Sequence, residues 1–199
     1  GFRPAEETTI IDLPGMSVEL SIDNPVALFN RQYADLETLL AAHRFAWLPL
    51  AGPDVDPNWV AKIWECWVEK YGSHKTGWPW HAYTAAERAI NIIDFANRFG
   101  LPGKREDTLQ TLIRHGEVIR RNLEYFGEHY TSNHLSNNGR GLLRIGIALG
   151  SDEFADDGAR IMIAEAGRIF GKSGVLNEGS SHYHLLITRN YIDAWLAAK

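Results

Sequence analysis

Three stretches carry residue types whose combination suits chemistry rather than packing. The first is Gly77-Trp78-Pro79-Trp80-His81-Ala82-Tyr83, a polar loop with large aromatics ahead of a helix start. Flat aromatic faces can hold pyranose rings, because a sugar face offers C–H groups to a π surface. The second is Thr131-Ser132-Asn133-His134-Leu135-Ser136-Asn137-Asn138, where one helical pattern ends and an apolar one begins. Ser136 or Asn133 could serve there as a helix cap, yet three asparagines and a histidine supply more polar atoms than a cap needs. The third is Asn177-Glu178-Gly179-Ser180-Ser181-His182-Tyr183-His184, again at a helix start. His182 and His184 have the spacing of a metal-binding pair, but no His-Glu-x-x-His accompanies them.

Common catalytic signatures are absent from the sequence. It contains no Gly-x-Ser-x-Gly, no Gly-x-x-x-x-Gly-Lys and no Gly-x-Gly-x-x-Gly. A single cysteine, Cys66, excludes an internal disulfide framework and a cysteine-rich zinc site. The formal net charge is −5, and no run of like charge suggests a nucleic-acid arm or a polybasic membrane patch. No apolar run reaches the length of a membrane span.

The elements that must position these stretches read as helices. At 199 residues with 45% hydrophobic residues, the chain can build a sizeable core. Residues 1–30 form an arm or small β segment. Val18, Leu20 and Ile22 alternate with Glu19 and Ser21, between turns at Leu13-Pro14-Gly15 and Asp23-Asn24-Pro25. From residue 31 onward the period is helical. Asp56-Pro57 opens a helix faced by Trp59, Ile63, Trp64 and Trp67, and that helical spacing makes these tryptophans core residues. Thr84 with Glu87 reads as a capping box for the next helix. A long helix is expected from about Glu106 to Tyr130, an inner apolar helix over 136–149, then helices over about 155–170 and 180–198. The fold class is all-α, with helices in antiparallel succession.

In order along the chain, these residues resemble the heparinase II/III-like family of polysaccharide lyases. Trp78-Pro79-Trp80-His81-Ala82-Tyr83 with Arg88 resembles the family's tryptophan-rich loop and following arginine. Asn133-His134-Leu135 with Gly141-Leu142-Leu143 resembles its Asn-His element. Gly174-x-x-x-Glu178-Gly179-Ser180-x-x-Tyr183-His184 resembles its Gly…Glu-x-Ser-x-x-Tyr-His element. The likeness covers roughly residues 30–198, with Asn137 standing where relatives often have Glu.

The resemblance implies an incomplete (α/α) toroid over 31–199, with the family's C-terminal β-sandwich domain absent from this chain. It also implies cleavage of an acidic, uronic-acid-containing polysaccharide by β-elimination in the periplasm or outside the cell, with no cofactor and no metal. Asn133, His134 and Tyr183 would be catalytic. Trp78, Trp80, His81, Tyr83, Arg88, Asn137, Glu178, His182 and His184 would bind substrate. Two other readings stand beside it. One is a non-catalytic carbohydrate-binding or exopolysaccharide-assembly module that keeps the aromatics. The other is a glycoside hydrolase on an α/α barrel, which needs two facing acids where the three stretches supply only Glu178.

Overall fold

The computed structural model describes residues 2–74, 76–125, 127, 133–177 and 180–199. Among the described residues 67% are helical and the sheet is one two-stranded antiparallel hairpin, so the fold is mostly helical. No helix among the described residues is long and apolar enough to cross a membrane.

The hairpin pairs β1 (Thr8–Leu13) with β2 (Met16–Ser21), in a register that sets Leu13 opposite Met16 and Thr8 opposite Ser21. Pro14 and Gly15 make the reversal, with Gly15 at φ 79°, a conformation glycine adopts without a Cβ clash. Ile11, Leu13, Val18 and Leu20 are buried, while their neighbours in sequence face outward. This period of two lays the hairpin's inner face on the first core. The reading of the arm captured β2 and missed β1, whose Thr8-Thr9-Ile10-Ile11 run lacks strict alternation.

Helices α1 (Ala27–Asn30), α2 (Leu36–Arg44), α3 (Trp47–Ala51) and α4 (Pro57–Tyr71) follow. Asp35 and Asp56 cap α2 and α4, accepting from the Thr38 and Asn58 backbone N–H groups at 2.8 Å each. Trp59, Trp64 and Trp67 are buried in the first core with Phe29, Phe45 and Trp80. Their rings pack as an aromatic stack, Trp64 on Trp67 at 5.6 Å with planes 6° apart.

The second half is a run of long helices: α5 (Ala82–Phe99), α6 (Arg105–Arg121), α7 (Asn133–Leu149), α8 (Asp152–Ile169) and α9 (Ser181–Ala197). Their contacts fix the directions. Arg140 meets Glu87 and Arg144 meets Asp94, so α5 and α7 run the same way. Ile119 of α6 lies beside Gly141 of α7, and Glu124, just past α6, meets Asn138, so α6 runs against them. Gly146 faces Ala155 while Gly139 faces Ile161, which makes α8 antiparallel to α7. Ile169 packs with Ile187 and Met162 with Ala194, turning α9 back parallel to α7. Helices α5, α7 and α9 therefore begin at one end of the array, and α6 and α8 end there.

Helices α7 and α8 each begin about a turn earlier than expected, at Asn133 and Asp152, and two further boundaries differ for reasons that bear on the site. Helix α5 begins at Ala82 rather than after Thr84, because Trp78–Trp80 forms a 3-10 turn and the Trp80 indole N–H is tied to the Tyr71 carbonyl at 2.8 Å. Thr84 is thereby drawn into the helix interior and fully buried, and Glu87 pairs with Arg140 instead of closing a capping box. The expected helix over 106–130 stops at Arg121. There the Asn122 side chain donates to the Val118 carbonyl, and the chain turns to bring Glu124 against α7.

Candidate functional site

At the end where α5, α7 and α9 begin, one carboxylate organises several of the expected residues. The His134 Nδ1 lies 2.7 Å from Glu124 Oε1, and His81 Nε2 lies 3.6 Å from the same oxygen. Asn138 Nδ2 donates to Glu124 Oε2 at 3.0 Å, and the Glu124 backbone N–H donates to Asn138 Oδ1 at 3.0 Å. Burial alone would raise the Glu124 pKa. Hydrogen bonds from His134 and Asn138, with the charges of His134 and His81, outweigh it and hold the carboxyl below its usual value.

Aromatic groups surround this centre. The Tyr83 ring packs on His134 at 4.8 Å, with the Arg44 guanidinium over its other neighbourhood at 4.8 Å. Burial first, then the negative charge of Glu87, pushes the Tyr83 phenol up to about 12. Tyr83 therefore stays protonated at neutral pH, a packing partner rather than a base. Trp78 is 49% exposed and lies 6.0 Å from His81, so a broad apolar face stands beside the two imidazoles.

Other expected groove residues lie elsewhere. Trp80 and Arg88 do not border the open end; they are core residues at 3% and 0% exposure. Arg88 Nε donates to His115 Nε2 at 2.8 Å, Nη1 donates to the His43 carbonyl at 2.9 Å, and the guanidinium lies 3.8 Å from the Trp67 ring centre. The reason is helical geometry. A long side chain on α5 leans back toward the helix start and over the face it shares with Thr84, and that face is turned to the tryptophans. Asn137 is also interior, with both side-chain polar atoms unpartnered.

Tyr183, His182 and His184 open α9, whose cap is Ser180, accepting from the Tyr183 N–H at 3.4 Å. His184 turns inward, where its Nδ1 accepts from the Leu176 N–H at 3.3 Å and its ring meets Phe170. Tyr183 is 43% exposed, with its ring beside His182 at 5.9 Å. The starts of α7 and α9 lie at a common level. Asp193 bridges Arg140 and Arg144 at 2.8 and 2.7 Å, and from that clamp Tyr183 on α9 and Asn133 on α7 are each about three turns back toward the same end. Glu178 falls outside the described residues.

The chain matches no protein-family model, no curated protein and no solved structure. Chemistry at the site is therefore read from its own residues.

Two cavities lie away from this end. Spaces of about 520 and 580 Å³ lie at the opposite end, beside the start of α6, lined in part by Glu65, Glu69, Asp107 and Lys104. The first, with Glu65, Glu69 and Asp107 against Lys104, does not suit an anionic ligand, whereas the second carries Arg3 and Lys62 beside Glu65. Among the described residues no group of three or more His, Cys, Asp or Glu is arranged to hold a metal ion. Glu124 and His134 meet directly, which leaves no ion-sized gap between them.

The sequence reading missed Glu124 and Arg44 as parts of this end, and Asp193 as the clamp that holds α9 to α7. Glu124 sat inside an expected amphipathic helix and resembled any exposed acid. Only the break at Asn122 carried a signal, since asparagine is a common terminator of helices.

Proposed function

We propose that the chain is the helical part of a polysaccharide lyase that cleaves uronic-acid polymers by β-elimination, in the periplasm or outside the cell. Helices α5 to α9, in antiparallel succession, would form an arc of an incomplete (α/α) toroid, with the substrate crossing the end where α5, α7 and α9 begin. The observation that supports the reading best is the grouping at that end: exposed Trp78, the His81–Glu124–His134 cluster, and Tyr183 on the neighbouring helix start.

The chemistry sets the roles. A C5 proton alpha to a carboxylate is weakly acidic, because its removal adds charge to a group already negative. The carboxylate must be met by aimed polar groups and by helix dipole ends, which are most effective as that charge develops. In this reading Asn133 and His134, in the first turn of α7, receive the carboxylate, His134 as the imidazolium donating through Nε2–H. Tyr183, acting as its phenolate, takes the C5 proton as the electron pair forms the C4–C5 double bond and the C4–O bond breaks. Tyr183 returns a proton to the departing oxygen. Trp78 stacks on a neighbouring sugar ring.

The deciding experiment follows ultraviolet absorbance while the protein acts on alginate, glycosaminoglycans and bacterial exopolysaccharides. Lyase action leaves a conjugated unsaturated uronate and absorbance rises with chain cleavage. New reducing ends without absorbance would assign hydrolysis instead. Binding without any cleavage would leave a carbohydrate-binding module.

A further inference from the structure

We infer that Glu124 is a positioning residue, one that fixes the His134 ring through Nδ1 and gathers His81 onto the same carboxylate. The geometry carries this assignment. An ionised carboxylate only accepts hydrogen bonds, so a ring nitrogen 2.7 Å from it must be the donor. His134 is thereby set as the Nδ1–H form whenever it is neutral, with its lone pair on Nε2. Any proton that His134 exchanges with a ligand then passes through Nε2 and not through Nδ1.

Glu124 is itself held on both sides. Its Oε2 receives Asn138 Nδ2, and its backbone N–H is taken by Asn138 Oδ1, so the carboxylate cannot swing without breaking a two-point contact with α7. The same oxygen that takes His134 faces His81 Nε2 at 3.6 Å, an ion-pair distance once that ring is protonated. His81 follows directly on the Trp78–Trp80 turn, and its ring packs against Trp78. One side chain therefore ties three pieces of chain together: the turn before α5, the segment after α6, and the first turn of α7.

This pattern, a carboxylate orienting an imidazole that faces a ligand, holds a ring within the narrow angular range that proton transfer and hydrogen bonding demand. Its effect on a rate rests on the lyase reading above, whereas the tautomer does not, and the two are measured separately.

The test is nitrogen-15 NMR of the histidine rings in the whole chain, above the pH range where imidazoles titrate, with His134 assigned from a His134→Asn spectrum. The expected result is an Nδ1–H ring for His134 in the wild type. In Glu124→Gln the side-chain amide can donate to Nδ1, and the ring should move toward the Nε2–H form. Circular dichroism confirms that the variant is folded. With a cleavable uronate polymer, Glu124→Gln should lower kcat by about tenfold or more while KM changes little, as for a lost orienting group. An Nε2–H ring in the wild type overturns the inference, and this requires no variant to fold. An unchanged His134 tautomer in folded Glu124→Gln overturns it equally.

Discussion

Acid should weaken this fold well before its carboxylates titrate, through two histidines buried around Arg88. His43 is 3% exposed; its Nδ1 accepts from the Trp67 indole at 3.2 Å, and its backbone carbonyl takes Arg88 Nη1. Burial first, then the Arg88 charge, brings its pKa down to about 3. His115 is fully buried, with Nε2 accepting from Arg88 and Nδ1 only 2.5 Å from the Thr111 carbonyl, and it too is pushed well below the usual range by burial and by Arg88. A free imidazole titrates near pH ~6.5. Between that value and the folded pKa the unfolded chain binds protons that the folded chain refuses, so stability falls as pH falls. For His43, going from pH 7 to pH 5 costs about 2 kcal/mol, at ~1.4 kcal/mol per pH unit once protonation of the unfolded chain is well advanced. His115 is shifted in the same direction by burial and by Arg88, so its loss has the same sign and adds to that of His43. Urea unfolding at pH 7, 6 and 5 measures this directly. The double variant His43→Gln, His115→Gln keeps hydrogen-bonding groups at both places without a titrating ring, and its stability should be nearly flat over the same range. Equal loss in wild type and double variant would refute the argument.

Other outcomes are tied to single side chains. Tyr183→Phe removes only a hydroxyl from a ring 43% exposed, so the thermal midpoint should hold while turnover on a uronate polymer falls by about a hundredfold or more. Full activity in that variant would end the proposed proton-transfer role. Trp78→Ala should raise KM with kcat little changed, because stacking holds ground state and transition state alike; steady-state kinetics separates the two. Gly158→Ala would drive a methyl group into the Leu143 backbone and the Gly139 carbonyl, and should cost about 3 kcal/mol in chemical denaturation, at the upper end for overpacking.

How much of this was legible in the sequence depended on whether a signal was local. Asp56-Pro57 announced α4 because cap and first-turn proline act within three residues. The tryptophans at helical spacing proved to be core for the same reason. The Thr84–Glu87 capping box failed because its pattern was local but the competing force was not: the Trp80 indole, reaching Tyr71, advanced the helix start by a turn. Arg88 is placed in the groove by the resemblance to the lyase family's arginine, not by anything in its local sequence. Nothing in its neighbours announces that His115, from the next helix, and the Trp67 face would take it in. Glu124 is the clearest loss. Its meaning lies in His81, His134 and Asn138, which come from two other helices, and one sequence holds no record of such convergence. The common start of α5, α7 and α9 could be read, since it follows from alternation of direction along the chain.

Helices α7 and α8 meet at Gly139, Gly146 and Gly158, where an added Cβ would strike Ile161, the Ala155 backbone and the Leu143 backbone in turn. At Gly146 and Gly158 main chain rests on main chain, so a methyl group added there meets nothing that a change of rotamer could move aside. Variation that alters what the open end recognises is therefore channelled away from this pair and into the segments that surround it: the Trp78 turn, the stretch after α6 and the approach to α9. The scaffold under Asn133 and His134 is in this sense inherited whole or lost, while its rim stays free to diversify.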